Sequence, residues 1–348
     1  MKPLFKLELN FFPSLHLSQI YDGLTKLRRL GIIHLSLKPV SDDTSKPLLT
    51  VKIDNKHKVI YDTLDGLNWI NGSIEENLNH FKKNVEADFY FKRSYNQQVL
   101  DYAPKNCKVY PLGLNYNVKP ENSLTKNLRE KIKTSIESNF IIEKFFKKTS
   151  FYSKEYECYP IPSRESRILF FTRLWDPNEI SLDHLRSERE FINKNRISCI
   201  KACQKEFGKL FVGGLQKNNF AVQHSKELII DSPLANKENF LLAVKNHNIC
   251  VATTGLHSSI GWKFGEYVAA SRAIISEPLA YKIPGDFENG NNYFVFNNED
   301  ELLNKADYLL NNKEALLDMM ISNFHYYNNH LRPEVLVLNT ILKIYQEK

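Results

Sequence analysis

The chain has 348 residues, of which 42% are hydrophobic and 12% aromatic, and it carries 47 Lys and Arg against 40 Asp and Glu. This composition, with only 13 glycines and 14 prolines, excludes a disordered chain, a collagen-like repeat and a low-complexity linker. The net charge of +7 suits anionic small molecules, nucleic acid or an anionic membrane surface, and it does not choose among them.

Length and hydropathy predict a two-domain protein of the cytoplasm. At roughly 100–200 residues per domain, the chain is long enough for two domains with a core in each. No stretch approaches the roughly 18–20 apolar residues of a spanning helix, and charge interrupts the apolar start, which is therefore not typical of a secretion signal. The five cysteines are scattered, so neither a disulfide framework nor a zinc site is indicated.

The first half of the chain alternates between β-rich runs and a helix. The predicted elements are a strand at 5–10, a helix at 17–30 that ends at Gly31, strands at 32–37 and 58–61, and further strand ends at 88–94 and 108–113. Glycine suits the helix end because it adopts left-handed dihedral angles without steric cost. Strands separated by helix-length segments predict a parallel α/β sheet.

A basic segment follows at about 119–150, where we predict a long helix. Its cations are Lys126, Arg129, Lys131, Lys133, Lys144, Lys147 and Lys148, with few acids among them. A solvated helix face explains this pattern. The alternative is a helix that contacts an anionic membrane through its apolar side, which contains Phe140, Ile141, Ile142, Phe145 and Phe146.

Pro160 and Pro162 interrupt the helical pattern, because proline disfavours helix both at its own position and before it. We therefore predict an N-terminal domain at 1–158, a C-terminal domain at 159–330 and a helix at 331–348 that can cross back to the N-terminal domain.

The second half repeats a β-turn-α pattern. It predicts strands at 167–172, 209–212, 228–231, 249–252 and 273–276, helices at 187–207, 237–246 and 262–271, and two terminal helices. Repeated β-turn-α units with glycines at strand ends are typical of a doubly wound sheet. The predicted fold class is α/β, with two Rossmann-like doubly wound domains that face a cleft.

Polar and small residues follow several predicted strands of the second half. In open parallel sheets, ligands bind at the carboxyl ends of the strands, where helix N-termini present unpaired N–H groups. Arg173 follows the first strand and can form paired hydrogen bonds to a phosphate. Gly213 and Gly214 end the next strand and permit close approach of the backbone to a ligand.

The loop at 253–261 and the helix after it complete the pattern. His257, Ser258 and Ser259 precede a helix that carries Lys263 and Glu266 three residues apart on one face. A cation there could hold a diphosphate, and a carboxylate one turn further could accept from two ribose hydroxyls. The pattern predicts a nucleotide-diphosphate site that needs no metal. Each piece alone has a plainer explanation, such as a surface ion pair or a turn.

The segment from Glu266 to Glu277 (EYVAASRAIISE) resembles the donor-site helix and following strand of glycosyltransferases with the GT-B fold, including the C-terminal halves of group 1 members. Many retaining members have a second glutamate eight residues earlier, where this chain has Ser258. A cation three residues before the glutamate is closer to the exostosin-like branch, which usually has arginine at the position of Lys263. The resemblance covers about 165–335, and it implies that the N-terminal domain at 1–158 is the acceptor-side domain.

The resemblance implies transfer of a hexosyl or pentosyl unit from a nucleotide-sugar donor to a glycan or lipid-linked acceptor. The setting it implies is bacterial-type surface polysaccharide synthesis in the cytoplasm, at the inner face of the membrane. Glu266 would bind the donor ribose, while Arg173, Lys263 and the Ser258–Ser259 loop would bind the diphosphate. The nucleotide sugar is a substrate, so neither a cofactor nor a metal is implied, and cations would stabilise the departing diphosphate. The missing first glutamate favours inversion.

An inverting transfer needs a general base, which we expect from the N-terminal domain. Asp62 and Asp65 are the candidates, because they follow a strand in an Asp-x-x-Asp-Gly turn that can project a carboxylate. An aspartate that caps its own turn is the structural alternative. His16 and His34 are weaker candidates.

Three other functions compete with sugar transfer as explanations of this sequence. The alternative to an enzyme is a non-catalytic nucleotide- or carbohydrate-binding partner subunit; the missing first glutamate favours it, whereas Lys263 and Glu266 argue against it. Nucleic acid is not an expected partner, because the chain has no RNP, zinc-finger or helix-turn-helix signature. A NAD-dependent dehydrogenase is disfavoured because no Gly-x-Gly-x-x-Gly follows an early strand.

Overall fold

The computed structural model describes residues 3–39, 46–121, 151–230 and 236–347. Residues 122–150 lie outside the described residues, and with them the predicted basic helix and its membrane contact. The chain divides into two compact units. Unit 1 comprises Met1–Glu155, Tyr281–Gly285 and Asn328–Lys348, and unit 2 comprises Tyr156–Ala280 and Asp286–Tyr327.

Unit 1 contains a sheet of six strands. Its strands are β1 (Phe5–Phe11), β2 (Ile33–Pro39), β3 (Leu48–Ile53), β4 (His57–Asp62), β5 (Phe89–Lys92) and β6 (Lys108–Pro111), and its described helices are α1 (Ser18–Arg29), α2 (Ile74–Asn84), α3 (Gln97–Asp101) and α11 (Pro333–Gln346). A short helix, α4 (Ser153–Tyr156), spans the boundary between the units.

The order of the strands in this sheet is β2-β1-β3-β4-β5-β6. Strand β3 runs antiparallel to both β1 and β4, and the other neighbouring pairs are parallel. The prediction of a purely parallel sheet is therefore wrong at one strand, which the sequence analysis missed. Asp54 and Asn55 join β3 to β4 with φ angles of 50° and 58°, the left-handed pair that a tight hairpin turn requires.

Unit 2 contains a parallel sheet of five strands. Its strands are β7 (Ile168–Thr172), β8 (Phe211–Leu215), β9 (Ile249–Ala252), β10 (Ala273–Ser276) and β11 (Phe294–Val295). Its helices are α5 (Asp183–Phe207), α6 (Asn219–His224), α7 (Lys237–Asn246), α8 (Trp262–Ala269), α9 (Glu299–Asn311) and α10 (Lys313–Tyr326). The predicted strand at 228–231 is wrong: Lys226–Leu228 is a 3-10 turn, and Ile229 forms only a single bridge to Leu215.

The strand order of unit 2 is β11-β10-β9-β7-β8, and every neighbouring pair is parallel. In chain order this is the doubly wound arrangement 2-1-3-4-5, in which the direction of winding reverses between the first and third strands. The reversal falls between β7 and β9. The α/β class, with a Rossmann-like sheet in each unit, is confirmed.

Helices cover the faces of each sheet, because the apolar side chains of the strands must be buried away from water. All residues of β7, β9 and β10 are buried, which explains their nearly continuous apolar sequences. In unit 1, α11 packs so closely on α1 that a Cβ atom at Gly23 would lie 2.1 Å from the carbonyl oxygen of Pro333. Across the described ranges, no helix is both long enough and apolar enough to span a bilayer.

Candidate functional site

The site predicted in the second half lies where the winding of the unit 2 sheet reverses. Adjacent strands that connect in opposite directions leave a crevice at their carboxyl ends, and ligands of doubly wound proteins bind there. Strand β7 leads into Arg173, and β9 leads into the loop 253–261 and then α8. Because β7 and β9 are neighbours in the sheet, the topology brings these two segments together.

Lys263, in the first turn of α8, connects this helix to the end of β7. Its Nζ donates a hydrogen bond of 2.6 Å to the carbonyl oxygen of Phe171. Burial lowers the pKa of Lys263 to about 7, Glu266 opposes this shift, and the cations of Lys237, Arg196 and Arg173 reinforce it. An ammonium group crowded by other cations in a partly buried site is stabilised by an added anion.

Glu266 lies one helical turn after Lys263 and is only 2% exposed. One of its oxygens, Oε1, forms an ion pair with the Nζ of Lys237 at the start of α7, at a distance of 2.5 Å. Its other oxygen, Oε2, is buried and has no hydrogen-bond partner among the described residues. Since buried polar atoms are nearly always paired, an orphaned carboxylate oxygen marks a place where a ligand can donate. No pattern in the sequence predicts an ion pair between Lys237 and Glu266, so Lys237 was missed as a site residue.

Arg196, on α5, forms hydrogen bonds to both the segment that follows β7 and the segment that follows β9. Its Nη1 donates to the carbonyl oxygen of Arg173 at 2.6 Å, its Nε to Oγ1 of Thr253 at 3.0 Å, and its Nη2 to the carbonyl oxygen of Thr254 at 2.9 Å. Burial lowers its pKa to about 10. Sequence reasoning missed this residue because it sits in a helix interior, 57 residues before Thr253 in the chain.

Arg173 is exposed, and its guanidinium carbon lies 3.7 Å from the ring centre of Trp175. The backbone of Trp175 is held by Asn193 on α5, which accepts from the N–H of Trp175 at 2.9 Å and donates to its carbonyl oxygen at 2.6 Å. Stacking on a fixed aromatic ring orders the guanidinium while leaving its N–H donors exposed. The structure thus places three predicted residues, Arg173, Lys263 and Glu266, around the carboxyl ends of β7 and β9.

The loop 253–261 has an unusual backbone. His257 and Ser258 both have positive φ angles, 59° and 53°, which side chains other than glycine rarely adopt. The N–H of Ser258 donates to Oε1 of Glu188 on α5 at 3.0 Å. Ser258 is exposed, His257 is partly buried, and Ser259 is only 4% exposed. Of the two predicted serine hydroxyls, that of Ser258 is the accessible one.

Packing against the protein's own backbone, and not the predicted contact with a ligand, explains why positions 213 and 214 are glycines. Both lie inside β8, where a Cβ atom at Gly213 would be 2.5 Å from the carbonyl oxygen of Phe170. At Gly214 it would be 2.5 Å from the carbonyl oxygen of Leu228. The two glycines are required by packing within unit 2, and their assignment to ligand approach is corrected.

Asp62, one of the two predicted bases, is a buried structural residue of unit 1. It is 0% exposed, and both of its oxygens are occupied. Oδ2 accepts from Tyr90 Oη at 2.5 Å and from Trp69 Nε1 at 2.8 Å, and Oδ1 accepts from Leu64 N at 2.8 Å and from Lys92 Nζ at 3.1 Å. A carboxylate with four donors has no lone pair directed at a substrate, so its assignment as a base is corrected.

Asp65 lies in a different environment three residues later. Its side chain is 39% exposed, and its Oδ1 accepts a 2.6 Å ion pair from Arg93, which is 5% exposed. His16, in the segment between β1 and α1, interacts with the backbone of Thr63 and with the charges of Asp65 and Arg93. Burial lowers the pKa of His16, Asp65 opposes the shift, and Arg93 adds to it.

These three residues occupy the carboxyl edge of the unit 1 sheet. His16 follows β1, Asp65 follows β4 and Arg93 follows β5. A neutral, partly buried imidazole beside a carboxylate is an arrangement that can accept a proton from a hydroxyl group. His34, the other histidine candidate, is an exposed residue of β2.

No protein-family profile and no curated protein sequence matches the chain. Solved structures match it at low identity. Alr3699/HepE from Anabaena, crystallised with UDP-glucose, is 11% identical over 96% of this chain and 97% of that chain, with a TM-score of 0.49. The C-terminal domain of the glycosyl transferase group 1 family protein LpcC from Francisella tularensis is 13% identical over 51% of this chain and 96% of that chain, with a TM-score of 0.35.

A third match is sucrose-phosphate synthase from Thermosynechococcus elongatus, 11% identical over 82% of this chain and 66% of that chain, with a TM-score of 0.45. The chain therefore spans about two thirds of this synthase structure and nearly all of the other two. The group 1 glycosyltransferases that the sequence resembles are represented among these matches by LpcC.

Proposed function

We propose that this chain is a glycosyltransferase that moves a sugar from a nucleotide-sugar donor to an acceptor hydroxyl group. The observation that carries the proposal is the position of Lys263 and Glu266, one helical turn apart at the start of α8, at the reversal point of the unit 2 sheet. One presents a cation crowded by other cations, and the other presents a buried oxygen with no partner among the described residues. A nucleoside diphosphate supplies the missing anion and the missing hydroxyl donors in one molecule.

In this proposal the diphosphate lies against Lys263 and Arg173, and the ribose hydroxyls donate to Glu266. When the sugar leaves, negative charge develops on the departing diphosphate. Cations that are already fixed in place stabilise that charge without reorganisation. Arg196 fixes them, because it holds the segments after β7 and β9 in register with each other.

We assign removal of the proton from the acceptor hydroxyl group to unit 1, with His16 as the general base. Burial keeps the pKa of its imidazole below the ordinary value, so the ring is neutral near pH 7 and can take a proton. Asp65 would stabilise the imidazolium that forms, and the ion pair with Arg93 would hold the Asp65 side chain in place. Direct attack by the deprotonated acceptor inverts the configuration of the sugar.

Thermal-shift measurements against nucleoside diphosphates test the proposal directly. A ligand that binds only the folded state raises the melting temperature, by an amount that grows with its concentration. We expect a rise with at least one of UDP, GDP, ADP and dTDP. The absence of any rise with all four would overturn the donor site.

Removal of either donor-site charge is expected to lower the turnover of the donor more than tenfold. Glu266→Ala loses charge-assisted hydrogen bonds to the ligand, and Lys263→Ala loses a diphosphate contact; each is worth roughly 1.5–3 kcal/mol, or about tenfold or more. The measurement is the initial rate of nucleoside diphosphate release from the nucleotide sugar. Glu238→Gln, an exposed position on α7, is the matched control and should keep the normal rate. Normal rates in both donor-site variants would contradict the assignment.

Donor affinity should also depend on pH through Lys263. Its pKa is about 7 in the free protein, and a bound diphosphate favours the charged form. Below this pKa the ammonium is already charged; above it, binding must first take up a proton. Affinity should therefore be highest on the acid side and fall by up to about tenfold per pH unit above pH 7.

The probe for this measurement is UDP-glucose, whose diphosphate is esterified at both ends and has no phosphate proton that titrates near pH 7. Lys263→Arg is the control, because a guanidinium stays charged throughout this range and should flatten the profile. An unchanged slope in the arginine variant would assign the pH dependence to another group.

A further inference from the structure

Glu188, on α5, is a second carboxylate with one occupied and one orphaned oxygen. Its Oε1 accepts from the N–H of Ser258 at 3.0 Å, in the stretch where His257 and Ser258 have left-handed backbones. Its Oε2 has no solvent exposure and no hydrogen-bond partner among the described residues. Strained backbone and an unpaired buried oxygen both occur preferentially at functional sites.

The indole of Trp175 presents the complementary group. Its Nε1–H is buried and also lacks a hydrogen-bond partner within the described part of the chain. Its ring carries the guanidinium of Arg173, and its backbone is fixed by Asn193, which lies five residues after Glu188 on the same helix. Helix α5 therefore contacts both elements: its Glu188 presents an unpaired acceptor at the loop that precedes α8, and its Asn193 holds the residue whose unpaired donor lies beside Arg173.

We propose that Glu188 and Trp175 recognise hydroxyl groups of the transferred sugar. This inference rests on the proposed function, because it takes Arg173 and Lys263 as the diphosphate contacts. The sugar is bonded directly to the diphosphate, so groups that flank those cations are the ones a sugar reaches. A sugar ring offers neighbouring hydroxyls that both donate and accept, which matches a carboxylate oxygen and an indole N–H. A nucleoside diphosphate lacks the hydroxyls of the transferred sugar, and its own ribose hydroxyls are assigned to Glu266.

The test compares matched ligand pairs by calorimetric titration: UDP with UDP-glucose, GDP with GDP-mannose, ADP with ADP-glucose and dTDP with dTDP-glucose. Glu188→Gln is the main variant, because the amide oxygen can still accept from Ser258 while the other position changes from an acceptor to a donor. Trp175→Phe is the second variant, which keeps an aromatic ring for Arg173 and removes the indole N–H together with the pyrrole ring that carries it. Glu190→Gln, exposed on the same helix, is the control.

We expect Glu188→Gln to weaken binding of the nucleotide sugar about tenfold, the usual effect of a lost charge-assisted hydrogen bond, and to leave the nucleoside diphosphate within about twofold. Trp175→Phe should show a smaller loss of the same kind, and Glu190→Gln should show none. An equal loss for both ligands of a pair, or no loss for either, would overturn the inference. If no diphosphate binds the unmodified protein, it is the proposed function that fails.

Discussion

Replacement of His16 by alanine is expected to lower kcat by at least about a hundredfold, while donor affinity stays within about twofold. A positioned general base contributes about 10²–10⁴-fold to a transfer reaction. His16 belongs to unit 1, whereas the groups assigned to the donor all belong to unit 2, so binding and turnover should separate. The measurement is kcat for transfer, paired with a calorimetric Kd for the nucleotide sugar.

The pH profile gives an independent readout of the same residue. A base works in its neutral form, so kcat at saturating donor should rise with pH through the pKa of His16 and then level off. Burial lowers that pKa, so the rise should be centred below the ordinary histidine value of 6.5. Asp65→Asn removes the carboxylate that opposes this lowering, and should move the rise to still lower pH.

His34→Ala is the matched control, since His34 is exposed on β2 of the same unit. It should leave kcat, Kd and the pH profile unchanged. A normal kcat in His16→Ala would remove the base from the mechanism, and a parallel loss of donor affinity would assign His16 to binding instead.

The order of strands and helices in unit 2 could be predicted from its sequence because its strands are short apolar runs between polar turns. Strands β9 and β10 and helix α7 have the predicted bounds. The placing of Arg173 and of the start of α8 at neighbouring strand ends also follows from the sequence, whereas their assignment to a ligand site stays a prediction. A parallel sheet fixes which ends meet, so residues distant in the chain are brought together by topology alone.

Partners supplied by other helices could not be predicted. Arg196 and Lys237 are ordinary cations in ordinary helices by sequence, and only the packing of α5 and α7 directs them to the site. Strand β3 did carry a signal, because Leu49, Val51 and Ile53 alternate with polar residues before Asp54-Asn55. That alternation is typical of a strand entering a tight hairpin, and all three apolar residues are 0% exposed.

The glycines of β8 show how a Gly-Gly motif can predict a ligand contact where the cause is packing. Gly-Gly at a strand end suits close approach to a ligand, but it suits close approach to the protein's own backbone equally well. Composition cannot separate these two causes, whereas the carbonyl oxygens of Phe170 and Leu228 do so directly.

Asp62 was predicted as a base, and its surroundings now predict a large effect on stability. Asp62→Asn should lower the free energy of unfolding of unit 1 by about 3–5 kcal/mol, because it leaves Lys92 as an uncompensated charge in the interior. Lys92 is 0% exposed, its Nζ lies 3.1 Å from Asp62 Oδ1, and burial already lowers its pKa. Urea unfolding followed by tryptophan fluorescence, to which Trp69 beside Asp62 contributes, measures the change.

The double variant Asp62→Asn with Lys92→Met separates the buried charge from a simple loss of packing. If the unpaired ammonium is the cause, removing it should restore a substantial part of the lost stability, since a buried pair replaced as a whole costs far less than a buried pair broken. Asp101→Asn, exposed in unit 1, is the control and should change the free energy of unfolding by less than about 0.5 kcal/mol. If the Asp62→Asn variant is folded and stable but has lost turnover, Asp62 is a catalytic residue. That result would contradict the structural role inferred from its four hydrogen-bond donors.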